Sequence, residues 1–178
     1  MKRILVLFPN EWDRVELRSP RYFGNYEFIF YGEDLISFPR NLRLLYFDVL
    51  RFIDNIVRRF ERQPIDGVLS TDEYIGAIIA AAVARRLGLP GADPEKILLA
   101  QHKFFSRRSQ MKIAPSAIPD FTLIPLLVDG GIDLPLDFPC FIKPVKGTFS
   151  LYARRVDTPA AARKHLSFSL WREFASSI

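Results

Sequence analysis

The sequence is poor in the side chains that build disulfides and metal centres. Its 178 residues contain one cysteine, Cys140, and two histidines, His102 and His165. A single cysteine excludes an intramolecular disulfide and a cysteine-based metal site, and two widely separated histidines give no support for a zinc site. We therefore predict no metal site among these residues, and a cytoplasmic location.

The loop motifs of several enzyme classes are also missing. The chain has no Gly-x-x-x-x-Gly-Lys-Ser/Thr loop, no Gly-x-Gly-x-x-Gly after its first apolar run and no Gly-x-Ser-x-Gly elbow. Its apolar runs are too short to span a membrane, and its apolar N-terminus is too short for a signal peptide. These absences argue against phosphate-loop enzymes, serine hydrolases and a membrane partner.

Positive charge is concentrated in the second half of the chain. Residues 1–95 carry 13 Lys and Arg against 14 Asp and Glu, whereas residues 96–178 carry 12 against 6. Such an asymmetry indicates an anionic partner, either a polyphosphate ligand or nucleic acid, although a solvated basic surface explains the charge equally well.

The pattern of apolar residues predicts an α/β fold. Short apolar strands and helices follow one another in the order β–β–α–β–α, which is typical of a small open sheet covered by helices. A Leu-Pro-Gly break at residues 89–91 coincides with a change of composition, so we predict domains at residues 1–91 and 92–178. The predicted strands of the first domain are 3–8, 26–31 and 68–70, and its predicted helices are 42–60, capped by Asn41, and 74–87.

The second domain is predicted to mix helices with short strands. We expect a loop at residues 125–139, with Gly130-Gly131 as its turn. The predicted helices are 94–101, 103–112 and 160–166, and the predicted strands are 121–124, one that contains Lys143, and 151–156.

Two lysines stand out in the second domain. Lys143 follows the apolar run 138–142, and we expect it on a buried strand, where an ammonium group is costly without an anionic partner. Lys103 lies early in a predicted helix, with Arg107 one turn later. Two lysines from different elements can bind one polyphosphate as point charges. A polyphosphate is therefore a candidate partner for Lys103 and Lys143.

The turn after this strand supplies further groups for an anion. Gly147 leaves the backbone open to close approach, and the hydroxyls of Thr148 and Ser150 follow it. The N–H groups of such a turn can complete a phosphate site. We therefore add Gly147, Thr148 and Ser150 to the predicted phosphate ligands.

A nucleic-acid interface is an alternative for the basic half. Residues 102–108 mix basic and aromatic side chains, as binders of single strands do. On a helix, however, Phe104, Arg108 and Met111 share a face, so part of the segment must be buried. The sequence disfavours a nucleic-acid partner.

Asp72 and Glu73 follow the third predicted strand and precede a helix. Ligands bind at this edge of open α/β sheets. Capping of the helix would explain both acidic residues equally well.

Several motifs occur in a fixed order: Thr71-Asp72-Glu73 before an alanine-rich helix, Lys103 with Arg107, and the segment Phe138-Pro139-Cys140-Phe141-Ile142-Lys143-Pro144-Val145. Their order and spacing resemble the first half of an ATP-grasp enzyme, close to the carboxylate–amine ligases that join amino acids and to the carbamoyl-phosphate synthase type. The resemblance implies a Rossmann-like pre-ATP-grasp domain at residues 1–91. It implies the first α+β lobe of an ATP-grasp domain at residues 92–178.

The resemblance also implies ATP as the cofactor and a small carboxylate as the substrate. Lys103 and Lys143 would contact the ATP phosphates or the adenine side of the cleft, residues 147–150 would cover the phosphates, and Glu73 would face the substrate. The family uses Mg-ATP to convert a carboxylate into an acylphosphate, which an amine then attacks. The catalytic residues stay unassigned.

Two features depart from the family pattern. The loop at residues 147–150 has one glycine where the family has several, and the chain ends at Ile178, before the lobe whose Glu and Asn hold magnesium. We therefore expect the N-terminal part of a ligase, either a truncated chain or a fragment. We expect it to be inactive alone and to use Mg²⁺ only together with the missing half.

Other functions stay open at this point. The second is a non-catalytic ATP-grasp-like module for nucleotide binding or protein interaction, and the third is a basic nucleic-acid-binding domain. The sequence leaves open whether this chain is itself an enzyme and whether it forms a homodimer.

Overall fold

The computed structural model describes residues 1–35, 37, 43–44, 46–124, 137–147 and 150–166. The chain forms two compact units, residues 1–99 and 100–178. It passes from one to the other between Leu99 and Ala100, within a helix, and the domain boundary after residue 91 stays a prediction. Among the described helices, none combines the length and hydropathy that crossing a bilayer requires.

A parallel sheet of three strands forms the centre of the first unit. Its strands are β1 (Lys2–Leu7), β2 (Tyr26–Tyr31) and β3 (Gly67–Leu69), in the order β2-β1-β3. In this register Leu5 lies opposite both Ile29 of β2 and Val68 of β3. Because β1 is the middle strand, its residues from Leu5 to Leu7 are fully buried, as expected for a strand of a parallel sheet.

Two helices, α2 (Val49–Phe60) and α3 (Ile75–Arg86), form one hydrophobic core with the sheet. The apolar residues of α2 recur at intervals of three and four, which gives the helix one apolar face toward Leu5 and Leu7. The α/β fold predicted from the sequence is confirmed. The buried core residues of the two helices are Ile53, Ile56, Val57, Phe60, Ile79, Ala80 and Val83.

The structure adds one element to the first unit and corrects the start of another. The segment between β1 and β2 contains the short helix α1 (Glu11–Glu16), which was not predicted. Helix α2 begins at Val49 rather than at residue 42, because the Asp48 carboxylate accepts the backbone N–H of Arg51 and caps it. Asn41, the predicted cap, lies outside the described residues.

The apolar period misled the prediction because residues before α2 join the same core without belonging to that α-helix. Leu44 and Phe47 pack against the core, and the rings of Phe47 and Phe8 meet edge to face with centroids 5.9 Å apart. The spacing of core-facing apolar residues therefore begins before the first residue of the α-helix.

The second unit contains short strands and helices. Strands β4 (Cys140–Ile142) and β5 (Arg154–Val156) pair antiparallel, with Cys140 opposite Val156. Val156 is buried together with Ala162 of the last helix. The helices are α4 (Pro94–Gln101), which spans the division between the units, α5 (Lys103–Met111) and α6 (Pro159–Leu166).

Three strand predictions in the second unit need correction. Residues 121–124 are not a strand, although Phe121 packs edge to face on Phe104 of α5, with ring centroids 5.5 Å apart. Strand β4 ends at Ile142, one residue before Lys143, and β5 begins at Arg154 rather than at residue 151. The predicted loop at 125–139 lies outside the described residues except at its end.

The junction of β3 and α3 leaves no room for a side chain at Gly76. A Cβ atom there would lie 2.1 Å from Ser70 Oγ and 2.9 Å from Asp72 Cβ. We expect Gly76→Ala to lower the free energy of unfolding by about 1–3 kcal/mol because the added methyl overpacks this junction. Urea unfolding followed by circular dichroism measures the change.

Gly67→Ala is the control for this substitution. A Cβ at Gly67 would meet Ile4 Cδ1 at 3.2 Å, and the end of that side chain can move aside. Equal stability of the two variants would contradict the overpacking account.

Candidate functional site

Helix α5 is anchored at its first residue to the segment after β4. The backbone N–H of Lys103 donates to the carbonyl oxygen of Val145 at 3.0 Å. Its ammonium Nζ donates to the carbonyl oxygen of Gly147 at 3.3 Å. His102 caps the helix, since its Nδ1 accepts the backbone N–H of Phe105 at 3.4 Å. These bonds bring two predicted phosphate ligands, Lys103 and Gly147, together.

Lys143 belongs to the same cluster, but the expectation that it is buried on a strand is wrong. It follows the end of β4 and is exposed. The pKa of its ammonium group is nevertheless lowered, first by partial desolvation, then by the positive charge of Arg107 and then by that of Lys103. Lys103 and Arg107 are thus close enough for their positive charges to act on the ammonium group of Lys143.

No carboxylate of the described residues neutralises this group. The ion pairs among the described residues join other arginines to Asp and Glu. None of these ion pairs involves Lys103, Arg107 or Lys143. Like charges held together without a counter-charge raise the energy of the protonated state. We call Lys103, Arg107 and Lys143 the cation cluster, and it is the candidate anion site.

The turn beyond Lys143 lies at the edge of this cluster. A Cβ at Gly147 would meet Pro144 no closer than 3.5 Å, so crowding alone does not require glycine there. Ser150 is exposed and adopts a φ of 56°, in the left-handed region that residues with a Cβ seldom enter. Thr148 lies outside the described residues. Phosphate binding by Gly147, Thr148 and Ser150 stays a prediction.

Aromatic contacts hold the remainder of α5. Phe104 is half-buried against Phe121, and the guanidinium carbon of Arg108 lies 5.7 Å from the centroid of the Phe104 ring. Phe105, 42 % exposed, packs on the His102 ring with centroids 4.4 Å apart. The aromatic residues of this segment therefore pack within the unit, as the helical spacing of Phe104 and Arg108 indicates.

The carboxyl ends of β1 and β3 carry a second polar group, in the first unit. Asp13 is 8 % exposed, and its Oδ2 accepts the backbone N–H of Asn10 at 2.9 Å and the hydroxyl of Thr71 at 2.7 Å. The Ser70 hydroxyl donates to the carbonyl oxygen of Leu7 at 2.9 Å. The sequence prediction did not include Asp13, although the spacing of Asn10 and Asp13 is that of a capping box.

Asp72 and Glu73 have different surroundings at this edge. The Asp72 carboxylate accepts the backbone N–H of Tyr74 at 2.9 Å and that of Gly76 at 2.8 Å, so capping accounts for it. Glu73 is exposed between β3 and α3, and its predicted role in substrate binding stays a prediction. The described residues contain no group of three or more His, Cys, Asp or Glu placed to hold a metal ion.

Comparison with known proteins finds a likeness among solved structures. No protein-family profile and no curated protein sequence matches the chain. Among solved structures, the crystal structure of L-amino acid ligase from Bacillus licheniformis matches with a TM-score of 0.59 and 20 % sequence identity over 94 % of this chain. The chain spans 42 % of the length of that protein. The likeness confirms the fold that was predicted, a mixed α/β architecture shared with part of an amino-acid ligase.

The surroundings of Lys143 predict a measurable change in its titration. We expect its pKa to lie below the ordinary lysine value and to rise in Arg107→Gln, because that substitution removes a neighbouring positive charge. The ¹³Cε resonance of Lys143, followed by NMR over alkaline pH, reports the value. Arg108→Gln is the matched control, since Arg108 packs over Phe104. An identical Lys143 titration in the two variants would contradict the arrangement of the cluster.

Proposed function

We propose that this chain is the nucleotide-binding, N-terminal part of an ATP-grasp ligase that joins a carboxylate, such as that of an amino acid, to an amine. The observation that carries the proposal is the cation cluster: Lys103 anchored by its own backbone and ammonium group, with Arg107 and Lys143 beside it. No carboxylate among the described residues pairs with these side chains. An anionic ligand of several charges would relieve their repulsion.

The chemistry of each residue suits the phosphates of ATP. An ammonium group has three N–H donors, and Lys103 directs one of them at Gly147, which leaves two for phosphate oxygens. Lys143 is exposed, so its ammonium is accessible to a ligand. Positive charges held in place in this way bind a polyphosphate and neutralise charge on its transferred group.

The fold supports the same proposal from a separate direction. The matched protein is an L-amino acid ligase, and this chain spans 42 % of its length. In ATP-grasp enzymes bound ATP supplies the phosphoryl group that activates a carboxylate. Residues of this chain would bind and orient the nucleotide, while Mg²⁺ ligands are expected from the remainder of such a ligase.

Glu73 is the proposed substrate-side residue of this chain. It is exposed at the carboxyl end of β3, at the sheet edge where open α/β proteins bind ligands. An acidic side chain there suits the ammonium group of an amino acid.

Calorimetric titration of the 178-residue chain with ATP tests the proposed function directly. We expect Lys143→Ala and Lys103→Ala each to weaken ATP binding about tenfold or more, because each removes a charge-assisted hydrogen bond. Lys112→Ala is the control: Lys112 is exposed at the end of α5, beyond the cluster.

Two outcomes would contradict the proposed role of this chain in nucleotide binding. One is ATP binding that is unchanged in Lys143→Ala and in Lys103→Ala, and the other is absence of ATP binding by the unsubstituted chain. A parallel assay for ATP hydrolysis with amino acids separates binding from turnover and tests the expectation that this chain is inactive alone.

A further inference from the structure

One face of α5 is turned toward the segment that follows β4. The backbone N–H and the ammonium Nζ of Lys103 donate to the carbonyl oxygens of Val145 and Gly147. Residues four apart lie on the same face of a helix. Arg107 therefore lies one turn after Lys103, on the same face of the helix as the residue that is bonded to Val145 and Gly147.

The electrostatics agree with this placement. Arg107 is half-buried. Its charge lowers the pKa of Lys143 more than the charge of Lys103 does. The positive charge of Arg107 therefore lies near the ammonium group of Lys143.

Arg107 also has no counter-charge in the described part of the chain. The arginines that form ion pairs there are Arg3, Arg21, Arg43, Arg85, Arg86 and Arg155, each with an Asp or Glu. Holding a half-buried guanidinium beside two ammonium groups is unfavourable in the absence of an anion. A structural role alone would be served better by a neutral side chain or by an ion pair.

We infer that Arg107 binds a phosphate of the same nucleotide as Lys103 and Lys143, so that the site favours a polyphosphate over a monophosphate. The inference rests on the proposed nucleotide function. A guanidinium donates two parallel N–H bonds to one phosphate, whereas each lysine acts as a point charge. Three cations exceed what a single phosphate needs, and a chain of two or three phosphates can contact all of them.

Arg108 provides the matched comparison. It is the next residue of the same helix, it is exposed, and its guanidinium carbon lies 5.7 Å from the centroid of the Phe104 ring. Arg107→Ala and Arg108→Ala therefore remove the same group from α5, but only the first removes a charge from the cation cluster.

The experiment is calorimetric titration of the whole chain with ATP, ADP and AMP. We expect Arg107→Ala to weaken ATP binding about tenfold or more, to weaken AMP binding less, and to reduce the slope of log Kd against log salt concentration. Arg107→Lys should recover part of the affinity for ATP, because lysine restores the positive charge but not the two parallel N–H donors of a guanidinium. Arg108→Ala should bind as the unsubstituted chain does. Thermal unfolding of each variant checks the fold, and Arg107→Gln replaces Arg107→Ala if the latter unfolds.

The outcomes separate this inference from the proposed function. If Lys143→Ala weakens ATP binding but Arg107→Ala and Arg108→Ala behave alike, the inference is overturned and the nucleotide function stands. Loss of affinity in Arg107→Ala with an unchanged salt dependence indicates a structural role and also overturns the inference. If the unsubstituted chain does not bind ATP, both fail.

Discussion

The cation cluster of the second unit depends on the two hydrogen bonds that hold Lys103. Its backbone N–H and its ammonium group both donate to carbonyl oxygens of the turn after β4, at Val145 and Gly147. These bonds tie a helix to a strand end that lies forty residues away in sequence, and so bring Lys143 within the electrostatic reach of α5. The cost is mutual repulsion of like charges, which an anionic ligand relieves. Held cations of this kind are a means by which proteins bind polyphosphates.

The fold was predicted well from the sequence where an apolar run coincides with a single strand. Strand β2 was predicted with the bounds that it has in the structure, because a short run of aromatic and β-branched residues favours a strand. The prediction failed where apolar residues join the core from outside the α-helix, as Leu44 and Phe47 do before α2. Helix α1 was not predicted because six residues are too few to show a helical period of apolar residues. Only its capping residues indicate the helix in the sequence.

The candidate site was predictable in its residue types but not in its geometry. The i, i+4 spacing of Lys103 and Arg107 is visible in the sequence. The hydrogen bonds of Lys103 to Val145 and Gly147, and the proximity of both positive charges to Lys143, depend on tertiary packing. Lys143 was expected on the strand because an apolar run precedes it. The strand ends at Ile142 instead, close to Pro144, which has no N–H for a ladder, and this leaves the lysine exposed. An exposed lysine is better suited to meet a ligand.

The central claim is that Lys103 and Lys143 bind one nucleotide together. NMR of the chain with ¹³C-methylated lysines, titrated with ATP, tests it most directly, because methylation keeps the charge and each lysine gives its own signal. The account predicts that the signals of Lys103 and Lys143 shift together and saturate with a single Kd, while those of Lys2 and Lys112 stay in place. Signals of Lys103 and Lys143 that do not move, or that follow different binding curves, would contradict it.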